Sequence, residues 1–85
     1  MAKPTPEQVF EMKSRKLVKE IWEAHFNRSK DEFTSISLRA NVIEIKIENR
    51  GVTIHRSRFE DYFNATNDES KQIGIQKIKD SLKRL

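Results

Sequence analysis

The stretch Asn41–Ser57, NVIEIKIENRGVTIHRS, decides the fold. Ile43, Ile45 and Ile47 alternate with Glu44, Lys46 and Glu48, the period of two expected of a strand with one buried and one wetted face. Arg50-Gly51 interrupts the run. Val52, Ile54 and Arg56 then alternate against Thr53, His55 and Ser57, so the stretch predicts a β-hairpin. A two-residue Arg50-Gly51 turn, or a four-residue loop in the same register, sets Ile47 opposite Ile54 and Ile45 opposite Arg56 on one face. A three-residue loop would mismatch the faces.

Upstream, Thr34, Ile36 and Leu38 alternate with Ser35, Ser37 and Arg39 and predict a first strand. The apolar positions change from even to odd numbers at Ala40-Asn41, which a tight turn or a bulge explains; the turn is preferred and gives a three-stranded antiparallel meander. Before it, Asn27–Glu32 is polar, and Ser29 with Glu32 has the spacing to cap a short helical turn.

The N-terminal segment predicts a long amphipathic helix ending near Asn27. Thr5 is placed to cap it, Pro6 suits the first helical position, and Gln8 completes a capping box. Phe10, Leu17, Val18, Ile21, Trp22 and Ala24 fall on one arc with Ser14 and His25, opposite Lys13, Lys16, Lys19, Glu20 and Glu23. Glu11 and Arg15 form a well-oriented i,i+4 pair; Lys16 with Glu20 and Lys19 with Glu23 are weaker ones.

Beyond the hairpin, Ser57–Glu60 has capping-box spacing, and Phe59, Tyr62 and Phe63 share a helical face. Asn64 and Asn67 are stop signals, and Asn67 or Asp68 can cap the next helix. Asp68 and Glu69 suit the start of a last helix, and Lys79, Lys83 and Arg84 its end. Ile75, Ile78, Leu82 and Leu85 form its apolar seam, while Ile73-Gly74-Ile75 leaves open an extended start. The expected fold class is α+β. It is a small two-layer domain of N-terminal helix, three-stranded antiparallel meander and C-terminal helix or helix pair, the helices covering Ile36, Leu38, Ile43, Ile45, Ile47 and Ile54.

An 85-residue chain has room for one domain, here taken as residues 1–85 with 1–4 disordered. Apolar and charged residues each make up 35%, so the core is small and further burial against a partner is a reasonable source of stability. The absence of cysteine removes disulfides, thiolate catalysis and Cys-based metal sites. MAKPTPEQVF lacks the apolar core of a signal peptide and no run approaches a membrane span, so the expected location is cytoplasmic, without membrane insertion.

The net charge of +4 is unevenly distributed: residues 1–30 and 71–85 are basic, residues 58–70 acidic, and 31–57 balanced. Basic ends around an acidic patch suit an acidic partner, self-association or nucleic acid. Candidate phosphate contacts are Lys13, Lys16, Lys19, Arg50 and Arg56, with Arg50 at the expected hairpin tip. Interleaved Glu20, Glu23, Glu44 and Glu48 argue against a dedicated nucleic-acid binder. The order helix, three strands, helix resembles double-stranded-RNA-binding domains in element order alone. Where that family has a lysine cluster opening its last helix, this chain has the acidic and aromatic SRFEDYF, Ser57–Phe63.

Catalytic chemistry has little to stand on. His25 and His55 lack metal-ligand spacing, the adjacent carboxylates Glu60-Asp61 and Asp68-Glu69 diverge on a helix, and Gly51 and Gly74 cannot make a phosphate loop. No enzyme activity, cofactor, metal or small-molecule substrate is expected. Trp22, Tyr62, Leu82 and Leu85 are the candidate partner-binding residues, each with core packing as its alternative role. The leading expectation is a small regulatory protein that binds another protein, with homodimerisation as one form. A basic nucleic-acid-binding regulator is the second. The Asn, Ile, Lys and Glu enrichment suits an AT-rich genome and a regulator of phage or bacterial style.

Overall fold

A computed structural model describes residues 3–85. Residues 1 and 2, part of the segment expected to be disordered, lie outside the described residues; Lys3 and Pro4 are exposed and belong to no helix or strand. The elements follow the expected order: α1 (Pro6–Phe26), a 3-10 turn (Lys30–Glu32), β1 (Ser35–Arg39), β2 (Val42–Ile47), β3 (Arg50–His55), α2 (Arg56–Phe63) and α3 (Asp68–Leu82). The sheet is an antiparallel meander in the order β1-β2-β3, so the α+β class is realised with a pair of C-terminal helices.

Helix α1 begins as its sequence dictates. The Thr5 hydroxyl accepts the Gln8 N–H at 3.2 Å, and the Gln8 side chain accepts the Thr5 N–H at 2.9 Å. The helix ends at Asn27, which takes a left-handed φ of 53° and donates its N–H to the Trp22 carbonyl. Leu17, Val18, Ile21 and Trp22 are buried. Ala24 and His25, assigned to the same arc, are exposed. Angular position alone does not bury a residue: in this last turn Trp22 and Phe26 are the side chains that reach the core.

The first turn, Ala40-Asn41, lies where the change of apolar parity places it, with Arg39 opposite Val42. The second turn differs from expectation. It is Glu48-Asn49, with Glu48 at φ 53°, and Arg50 and Gly51 are strand residues opposite Ile47 and Lys46. The physical reason is apolar matching across the pair. The expected register would have put Ile45 opposite Arg56, whereas the observed one faces Ile43 with Ile54 and Ile45 with Val52. Both registers pair odd with even positions, so the same side chains still point inward. Gly51 has no positive φ and therefore no conformational need to be a turn glycine.

This register releases Arg56 from the sheet to start α2. Its cap is His55, not Ser57: the imidazole Nδ1 accepts the Ser57 N–H at 3.1 Å. Asn64 closes α2, and the Asn67 side chain caps α3 by accepting the Ser70 N–H at 2.8 Å. Helix α3 runs unbroken through Gly74. An extended start at Ile73–Ile75 is not formed, because Gly74 is where α3 meets α2. A Cβ there would come within 3.1 Å of the Tyr62 Cβ and 3.2 Å of its Cα.

Helices α1 and α3 cover one face of the sheet, α1 over β1 and α3 over β3, with α2 packed on α3. Ile36, Ile43, Ile45, Ile47 and Ile54 are buried beneath them with Phe59, Ile78 and Leu82. Each such side chain contributes about 1.5–3 kcal/mol of apolar burial. Phe10 ties α1 to α2 through edge-on contacts with Phe59 and Phe63, at 6.4 and 5.7 Å between ring centroids.

Candidate functional site

The two edges of the sheet are finished differently. In β1, odd residues bond to β2, so Ile36 and Leu38 turn their main-chain groups outward. Helix α1 meets them. Arg15 donates to the Ile36 carbonyl from Nη2 at 3.0 Å and Nε at 3.3 Å, and the Leu38 N–H donates to Glu11 Oε2 at 2.8 Å. Arg15 and Glu11 also pair with each other at 3.2 Å. One ion pair, one turn apart on α1, therefore takes up the Ile36 carbonyl and the Leu38 N–H, two of the main-chain groups a neighbouring strand would use.

At the other edge, Arg56 donates its N–H to the Asn41 carbonyl at 2.7 Å, which fixes the even residues of β3 as those bonded to β2. Gly51, Thr53 and His55 consequently present their N–H groups outward, and Gly51 and Thr53 their carbonyls. All three residues are exposed. Among the described residues no side chain covers these groups as Glu11 and Arg15 cover β1. His55 is the N-cap residue of α2, so its carbonyl faces the first turn of that helix. The open segment is thus short, bounded by the turn and by α2.

The candidate partner-binding residues do not gather into one patch. Trp22 is 2% exposed and Leu82 fully buried, so both serve the core and offer a partner no surface. Tyr62 and Leu85 are half-buried and pack against that core. Tyr62 is the seat of Gly74, and the Leu85 carbonyl lies 3.4 Å from Arg50 Nη1. The spare-aromatic signal in the sequence came from residues the core uses. The open β3 edge was missed because it is a main-chain feature that depends on register.

The cation candidates are also dispersed. Lys13 and Lys16 are exposed and Lys19 half-buried on α1, and none of the three makes an ion pair among the described residues. The Lys16–Glu20 and Lys19–Glu23 pairs are therefore not formed, consistent with the weaker lysine-before-glutamate order. Lys16, Lys19 and Lys30 line a shallow groove of about 440 Å³ together with Glu20, Glu23 and Met12. Arg50 is not at the hairpin tip, which is Glu48-Asn49. Arg56 is committed elsewhere: its guanidinium lies 4.5 Å over the Phe10 ring and 3.6 Å from Glu60.

On the uncovered face of the sheet, Glu44 lies 3.6 Å from Arg39 and 3.5 Å from Lys46. The charges there neutralise one another locally instead of building a phosphate platform. In the turn after α1, Arg28 grips Glu32 through two hydrogen bonds, at 3.0 and 2.6 Å, and covers the Trp22 ring at 5.3 Å. The Arg28 hydrogen bond holds the Glu32 carboxyl below the usual carboxylate range, and the same contact raises the Arg28 guanidinium. The Trp22 Nε1 makes no hydrogen bond of good geometry, although its nearness also favours the Glu32 charge.

Among the described residues, no helix is long and apolar enough to cross a membrane, and no three His, Asp or Glu side chains gather as a metal site. No protein-family model, curated protein or solved structure matches the chain.

Proposed function

We propose that this protein is a small non-catalytic regulatory module that acts by binding protein, and that it binds through the outer edge of β3. The observation that carries the reading is the asymmetry of the sheet. At one edge Glu11 and Arg15 take up the Leu38 N–H and the Ile36 carbonyl, and at the other, among the described residues, the N–H groups of Gly51, Thr53 and His55 are free. An extended segment laid along β3 would gain main-chain hydrogen bonds with little obstruction, since Gly51 and Thr53 are small.

The test compares capture, from host lysate supplemented with a differently tagged copy of the chain, by the wild-type chain, a Thr53→Pro variant and a Lys16→Ala variant. Proline at position 53 removes an outward N–H without removing a rung between β2 and β3. Wild type and Lys16→Ala are expected to retain the same protein and Thr53→Pro to lose it. Retention by Thr53→Pro, or no specific capture, overturns the reading.

A second reading, nucleic-acid binding, rests on the unpaired Lys13, Lys16 and Lys19 along α1. Glu20 and Glu23 on the same surface oppose it. A mobility-shift titration at about 50 mM salt decides it, because an interface of about six phosphate contacts still holds at that ionic strength. Binding that weakens steeply with salt and on Lys16→Ala supports it; no shift removes it.

A further inference from the structure

The geometry points to a second copy of this chain as the strand that pairs with β3, making a two-fold dimer with one continuous six-stranded sheet. This inference rests on the protein-binding reading above and specifies its partner.

The edge matches itself. An antiparallel two-fold axis beside Thr53 sets Thr53 opposite Thr53 of the second copy and Gly51 opposite its His55. Each Thr53 N–H then donates to the other's carbonyl, and each His55 N–H to the other's Gly51 carbonyl. Every outward group of β3 except the Gly51 N–H is used, and the His55 carbonyl stays with the α2 cap. On the uncovered face, the imidazole of His55 comes beside a residue with no side chain, and two threonines stand together, a favourable cross-strand pair. On the helix side, the half-buried Val52 comes opposite Ile54 of the second copy and loses its remaining exposure to water.

The fold also explains why such pairing stops at two. A chain with two open edges would polymerise, but on β1 the Glu11–Arg15 pair occupies main-chain groups that a further strand would need, so among the described residues β3 is the unguarded edge, and the two-fold contact consumes it. Charge opposes the pairing without forbidding it. Each copy carries +4, and Arg50 comes near the second copy's Arg56, whose charge Glu60 offsets. Added salt screens this repulsion, so association tightens as salt rises, the opposite of nucleic-acid binding.

Sedimentation of the full chain from micromolar to millimolar concentration, at low and high salt, is the test. The expected result is a mass rising from the 10.1 kDa of one chain to twice that value, at lower concentration in high salt. Thr53→Pro is expected to stay monomeric. Should it fail to fold, Thr53→Lys leaves the ladder intact and sets two like charges across the axis, weakening association about tenfold.

Because the chain has no cysteine, single-cysteine variants locate the interface. A short bis-maleimide should link Thr53→Cys into a covalent dimer and leave Ser35→Cys, on β1, unlinked. A monomer throughout the concentration range, or equal linkage at both positions, overturns the dimer. If the chain is monomeric yet retains a host protein in a Thr53-dependent way, the dimer fails and the protein-binding reading stands. If capture is also absent, both fail.

Discussion

The carboxylate of Glu11 accepts the main-chain N–H of Leu38 at 2.8 Å, across 27 residues of sequence. With Arg15 on the Ile36 carbonyl, it turns a helix-surface ion pair into the finish of a sheet edge. An exposed i,i+4 pair alone is worth about 0.3–0.5 kcal/mol. Here each member also makes a charge-assisted hydrogen bond to a partly buried main-chain group, of a class worth about 1.5–3 kcal/mol before discounting for exposure.

Glu11→Ala is therefore expected to lower stability in urea unfolding by about 1–2 kcal/mol, more than a surface pair would. It should also uncover the β1 edge. A chain with both edges open is expected to sediment as species larger than a dimer, and Arg15→Ala should do the same. A loss no greater than that of Lys13→Ala would show that the main-chain contacts carry no weight.

Among the described residues, Ser14 is the one buried polar side chain in the core, and its hydroxyl has no hydrogen-bond partner. An unsatisfied buried hydroxyl costs about 1–3 kcal/mol. Ser14→Ala keeps the small volume that lets α1 sit close to its neighbours and removes the unpaired group. The expected outcome is a protein equally stable or more stable by about 1 kcal/mol, read as a higher urea midpoint at unchanged slope. Ser14→Leu, which keeps the arc apolar but overfills the space, should instead destabilise.

Gly74 shows a local rule overridden by packing. In an exposed helix, Gly→Ala gains about 1 kcal/mol. At position 74 the new methyl would press within 3.2 Å of the Tyr62 Cα, a backbone atom that moves only if α2 moves. Gly74→Ala is expected to lose about 1 kcal/mol net in thermal or urea unfolding, the overpacking cost exceeding the helical gain. A gain would show that α2 yields freely.

These residues also mark how much the sequence discloses. Period-two alternation over Ile43–Ile47 and the arc from Leu17 to Trp22 determine element type, inward face and layer order, because each follows from which side chains avoid water. Thr5, Ser29 and Asn67 cap where their spacing places them. The second turn is less legible, since Arg50-Gly51 looks like turn chemistry and parity is satisfied by either register. Only apolar matching of Ile43 with Ile54 and Ile45 with Val52 separates the two. Edge guarding by Glu11 and Arg15 is less legible still: their spacing announces an ion pair, but its main-chain targets exist only once α1 lies along β1. Trp22 and Leu82 look available in sequence because their role depends on what surrounds them.

The Arg28–Glu32 pair gives the fold a pH dependence whose sign is fixed. Glu32 is held below its usual range, chiefly by the Arg28 hydrogen bond, so the folded chain binds that proton less readily than the unfolded chain. The stability it contributes is fully present above the unfolded carboxyl value and is lost as pH falls through the lower folded value. Arg28 is raised and remains charged in both states at any pH where the protein is studied, so it adds no slope. An NMR titration of the Glu32 carboxyl carbon should give a midpoint below that of an unpaired glutamate. Arg28→Ala should return it upward and flatten the acid limb of the stability curve. If Arg28→Ala leaves the midpoint where it was, the contact is not what holds the Glu32 charge.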